Sequence, residues 1–80
     1  MRLPRDVTGR ALAKMLDRFG YLVTRTSGSH MRLTTQQRGE HHLTIPAHDP
    51  LRLGTLAAIL DEVARHFGMT RDELQRALWP

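Results

Sequence analysis

The sequence predicts an α+β fold, with a helix, three strands and a second helix (α-β-β-β-α), followed by a short extra C-terminal helix. Three observations carry this. Apolar residues recur with a helical period near both ends of the chain, and between them the pattern switches to alternation. Glycines and polar clusters stand where one period gives way to the other. A three-stranded antiparallel sheet in meander order has one apolar face, which the two longer helices can cover. The other face is left to solvent.

Met1 to Asp6 form a polar lead. Thr8 is a good N-cap, and Val7 with Leu12 has the spacing of a hydrophobic staple. Leu12, Met15, Leu16 and Phe19 then form one apolar stripe, with Lys14, Asp17 and Arg18 outward. Gly20 is placed to end that helix in the left-handed conformation. Tyr21 to Thr26 is rich in aromatic and β-branched residues and reads as the first strand. Ser27 to Ser29 make a tight turn around Gly28.

From His30 the chain alternates: Met31, Leu33 and Thr35 share one face, and His30, Arg32 and Thr34 the other. Gln36 to Glu40 is a polar hairpin loop. In the third strand Leu43 and Ile45 point inward and His42 and Thr44 outward, and Pro46 ends it. Ala47 to Leu53 is an irregular loop carrying His48, Asp49, Pro50 and Arg52. Thr55 is expected to cap the second helix, whose buried stripe is Leu56, Ile59, Leu60, Val63 and Phe67, closed by Gly68. Thr70 and Glu73 form a capping box for the last helix.

Eighty residues suit one domain over 1–80, with its core at about 8–67 and the C-terminal helix at about 70–79. The chain has no cysteine, which removes disulfides and thiolate metal sites. No apolar run approaches the length of a membrane span and no signal-peptide pattern opens the chain, so no membrane partner and a cytoplasmic location are expected. The net charge is +4, and of 12 basic residues only Lys14 is not arginine. Arginine's planar fork suits phosphate and carboxylate, which fits RNA, DNA or an acidic protein.

Gly28-Ser29-His30-Met31 is also the remnant of a common purification tag. Here 27 residues that read as folded structure precede it, so it is taken as native. His41 and His42, beside Glu40, could suggest a metal, but neighbours on a strand point to opposite faces and cannot readily share an ion. His66 sits in the last turn of its helix, a structural position for a cation. Arg25 is either a phosphate contact or a solvated strand residue, and Arg52 has the same two readings. Trp79 could stack a base or pack down after Leu74 and Leu78.

A set of short motifs runs in order along nearly the whole chain, over roughly residues 8 to 75. It comprises Leu16 with Gly20-Tyr21, then Arg25, Gly28-Ser29-His30 and Thr44-Ile45-Pro46-Ala47-His48. It ends with Leu53-Gly54-Thr55-Leu56 and Ile59-Leu60. With these motifs the chain resembles the HicA toxins of type II toxin–antitoxin systems, small mRNA interferases with a double-stranded-RNA-binding-domain-like fold. Met31 stands where family members often carry a second histidine, and Leu53 where they often carry proline. The resemblance implies a HicA-like domain acting in stress response as a ribosome-independent endoribonuclease that cleaves mRNA. It implies that His30 matches the catalytic histidine, and that a cognate HicB-like antitoxin binds and silences the protein.

The chemistry is consistent with that implication. RNA carries its own nucleophile, the 2′-hydroxyl, so cleavage needs no metal and no cofactor. It needs a base, an acid and positive charge near the phosphorane. Histidine can do either proton job, and arginine suits the phosphate. His30 and Arg32 project to one face about 7 Å apart. Ser29, Arg25 and Arg52 are the further candidates for RNA or phosphate contact.

Strand register ranks the helpers. If loop 36–40 sets Thr35 opposite His41, then Leu33 faces Leu43 and Met31 faces Ile45, and the apolar residues match. His42 then lies about 13 Å of strand from His30, too far for concerted work. His48 falls at the His30 end of the sheet and is the better helper. Two other classes remain open: a non-catalytic RNA-binding module of the same fold, and an inactive antitoxin-binding domain.

Overall fold

The computed structural model describes residues 2–80. The elements are α1 (Gly9–Met15), a 3₁₀ turn (Leu16–Phe19), β1 (Leu22–Ser27), β2 (His30–Thr35), β3 (His41–Pro46), α2 (Leu53–Phe67) and α3 (Arg71–Leu78). The strands form one antiparallel sheet in the order β1-β2-β3. This is the expected α+β architecture with its extra C-terminal helix.

Local chemistry explains most boundaries. The Thr8 hydroxyl accepts from the Ala11 amide at 3.0 Å and starts α1. Gly20, at φ 80, ends the 3₁₀ turn, and its N–H reaches the Asp17 and Leu16 carbonyls. The buried Thr35 hydroxyl donates to the Phe19 carbonyl at 2.7 Å and accepts from the Gln37 amide at 3.1 Å. A polar residue on the inward face of β2 thus satisfies the end of the first helical segment.

The β2–β3 register is the expected one: Thr35 faces His41, Leu33 faces Leu43, Met31 faces Ile45 and His30 faces Pro46. β1 and β2 are joined by Gly28-Ser29 alone, with Gly28 at φ 58. That is the conformation a two-residue hairpin turn demands of its first residue, and glycine adopts it without steric cost. The first strand runs one residue later than its composition suggests, because Tyr21 is drawn into the core, 1 % exposed, and Ser27 pairs with His30.

Two further boundaries differ from expectation. The first helical segment tightens to 3₁₀ geometry over its last turn instead of remaining α-helical to Gly20. Thr55 is not the cap of α2: the helix begins at Leu53, after Arg52, with no side-chain cap. Thr55 resembles a cap only in composition; two residues ahead of it are already helical.

Leu12, Leu16, Leu33, Ile45, Leu60, Val63 and Leu74 are fully buried and hold the layers together. Each contributes about 1.5–3 kcal/mol on leaving water. Helix α3 packs within the chain through Leu74 and Leu78, and Trp79 lies partly buried against the same core. The Arg18 guanidinium donates to the Ala77 carbonyl at 2.9 Å, at the C-terminal end of α3.

Candidate functional site

Alternation and register build an open polar face. His30, Arg32 and Thr34 project from β2 away from the core, and Thr44 stands opposite Arg32 on β3. On the other side Ser27 pairs with His30 and Arg25 with Arg32. The register shifts between Val23 and Arg25, so Thr24 is the extra residue of a bulge. The Thr24 hydroxyl donates to the Arg32 carbonyl at 3.3 Å and lies 3.3 Å from the Thr34 hydroxyl.

His30, Arg32, Arg25, Ser27 and Thr44 line one shallow groove of about 140 Å³. His30, Arg32 and Arg25 were candidates from sequence; Ser27 and Thr44 were not. Thr44 could have been found, since the alternation already places it outward opposite Arg32. Ser27 could not, because it reads as part of the turn. Among the described residues, His30, Arg25 and Arg32 have no side-chain hydrogen bond or salt bridge. Glu40 is the carboxylate whose ionisation Arg32 favours through space.

The remaining candidates lie elsewhere. Ser29 holds the turn, its carbonyl accepting from the Ala47 amide at 2.6 Å. That bond ties the start of the 47–52 loop to the His30 end of the sheet. His48 is exposed one residue further on and does not line the groove; its carbonyl accepts from Gly9 at 2.9 Å. Arg52 is exposed just before α2, also outside the groove.

The other histidines are engaged. On the outer face Nδ1 of His42 lies 2.7 Å from the Thr34 hydroxyl and Nε2 lies 2.9 Å from Glu40. The hydrogen bond from His42, with that from Gln36 next, holds the Glu40 carboxyl below its usual range. On the inner side His41 Nδ1 meets the Tyr21 hydroxyl at 2.7 Å and Nε2 meets Glu62 at 3.1 Å. The His41 and His66 rings stack 4.5 Å apart, and His66 Nε2 donates to the Gln37 and Gly39 carbonyls at 2.9 and 3.1 Å. Nothing local in the sequence announces this network, because it joins the end of the first helical segment, the β2–β3 hairpin and α2.

The arrangement can do two things chemically. Two unpaired guanidinium groups, side by side across two strands, can hold an anion. An exposed imidazole beside them can give or take a proton from it.

The features together define a small basic α+β domain whose open sheet face carries a histidine and two free arginines. A family model described as the HicA toxin of bacterial toxin–antitoxin systems matches residues 9–67. The chain belongs to that family. Neither a curated protein nor a solved structure matches it. No helix among the described residues is long and apolar enough to cross a membrane.

Proposed function

We propose that this chain is the toxin of a type II toxin–antitoxin system and acts as a metal-independent endoribonuclease on mRNA, with His30 as its general acid or base. The observation that carries this is the unpartnered His30 imidazole sharing a groove with two unpartnered arginines on the open sheet face. His41, His42 and His66 are each engaged by side chains or carbonyls, whereas the His30 ring faces the groove.

The RNA backbone lies across the groove, with a scissile phosphate between His30 and the pair Arg25 and Arg32. The 2′-hydroxyl attacks phosphorus and loses its proton to a base, while the 5′-oxygen leaves and takes a proton from an acid. The arginines offset the charge that builds on the equatorial oxygens. Products carry a 2′,3′-cyclic phosphate and a 5′-hydroxyl. His30 performs one of the two proton transfers. Water or His48 performs the other, since both ring nitrogens of His42 are already engaged. A cognate HicB-like antitoxin silences the enzyme by covering the open face and bringing carboxylates to the arginines.

The test compares wild type with His30→Ala on one RNA. Cleavage by the variant falls by about 10²-fold or more while RNA affinity changes little. Equal cleavage by both proteins, or 5′-phosphate ends, would exclude this chemistry.

A further inference from the structure

The molecule has a second exposed feature, separate from the His30 groove. Strand β1 is an edge of the sheet, and all six of its residues are exposed. Pairing with Leu33 puts Val23 on the inward face, yet it is 49 % exposed, and Leu22 on the outer face is 61 % exposed. The cause lies in the helix docking. Helices α1 and α2 make their main backbone approaches to the sheet at β3, leaving the inner side of β1 uncovered.

The result is a largely apolar groove of about 360 Å³ between α1 and β1, floored by Ala13, Val23 and Met31. Arg10 and Lys14 on α1 line it with Asp17 beyond, so cations outnumber the carboxylate two to one. Alongside runs the free backbone edge of β1, whose N–H and C=O groups facing away from β2 have no sheet partner among the described residues.

We infer that this edge accepts an extended segment of a partner protein, paired to β1 as a fourth strand, with apolar side chains in the groove and carboxylates against Arg10 and Lys14. Backbone pairing supplies affinity in such an addition, and alternate side chains supply specificity. The charge argues for an acidic partner and against a second copy of this chain. Symmetric β1–β1 pairing would set Arg10, Lys14 and Arg25 against their own counterparts in a protein of net charge +4. The docked side chains lie on the inward face, whereas the His30 groove, which shares Arg25 and Ser27 of β1, opens on the outer face.

The test is an NMR titration of the full chain with the heptapeptide Glu-Thr-Val-Thr-Val-Thr-Glu and with its counterpart carrying lysine for glutamate. The expected result is shift changes centred on the Leu22–Ser27 amides, slower exchange of the outward-facing β1 amides, and at least tenfold weaker binding of the lysine peptide. Val23→Asp should weaken the glutamate peptide about tenfold. The surface double variant R10E/K14E, which does not touch the core, should reverse the preference between peptides. The inference is overturned by no binding of the glutamate peptide, by equal affinity for both peptides, or by shifts centred away from β1. It is equally overturned if the free protein sediments as a dimer that Val23→Asp dissolves, since the edge is then occupied by a second copy. His30→Ala should bind the peptide as wild type does, which separates this result from any failure of the nuclease reading.

Discussion

Arg25 and Arg32 face each other directly across β1 and β2, with no salt bridge to either among the described residues. Like charges in that position oppose sheet formation by a few tenths to 1 kcal/mol. The pair shares one groove with the exposed His30. On the nuclease reading proposed above, this concentrated positive charge serves a phosphate.

Replacing Arg32 with glutamate should separate stability from function. Arg25 gains an opposite partner while Glu40 loses a favourable one, so stability in urea unfolding should change by less than about 1 kcal/mol. RNA binding and cleavage should fall at the same time. A variant that loses stability while keeping cleavage would remove the pair from the phosphate site.

Arg25→Ala and Arg32→Ala should each weaken RNA binding across all sequences alike. Each should also reduce the slope of log affinity against log salt by about 1. The measurement is binding of one single-stranded RNA at several salt concentrations. An unchanged slope would mean the guanidinium touches no phosphate.

Among the histidines, His30→Ala should cost the most activity, and His42→Ala should leave cleavage within a few-fold of wild type. His42 is spent on Thr34 and Glu40, four strand residues from His30. His48→Ala distinguishes a helper from solvent: a loss near tenfold assigns the second proton transfer to it, and no loss assigns it to water. Rates on one RNA across neutral pH decide the matter.

Tyr21 should give the fold an alkaline dependence. Burial, reinforced by the nearby Glu62 carboxylate, pushes its phenol from 10.0 up to about 12. The folded state thus retains the proton where the unfolded chain gives it up. The resulting stability is complete below pH 10.0 and is lost as pH rises through about 12. Tyr21→Phe should be about 1 kcal/mol less stable at neutral pH, having lost the bond to His41. Its stability should then fall less steeply with alkali than that of wild type.

The capping box of α3 should be felt at acid pH. The Glu73 carboxylate accepts from the Thr70 amide at 2.8 Å, which is the main reason it titrates below its usual 4.5. Its contribution is present above 4.5 and disappears as pH falls through the folded value. Thr70→Ala should cost about 1 kcal/mol in thermal or urea unfolding.

Much of the candidate site was legible because β2 obeys a period of two. Met31, Leu33 and Thr35 must go inward together, which sends His30, Arg32 and Thr34 outward. A five-residue loop that matches Leu33 to Leu43 then fixes β3, and with it the distance from His30 to His42. Gly20, Gly68 and the Thr70–Glu73 box carry their conformations in their own chemistry. These features are local or follow from one periodicity, so the sequence alone determines them.

The tertiary structure decided the rest. Thr24, Arg25 and Thr26 all favour strands, so nothing in their identity says that Thr24 bulges and brings Arg25 opposite Arg32. The meeting of Tyr21, His41, Glu62 and His66 depends on three distant segments docking together. The exposure of Leu22 and Val23 depends on the helices settling over β3 rather than β1. Burial and long-range pairing are properties of how elements pack, and the composition of a single strand does not encode where its neighbours will lie.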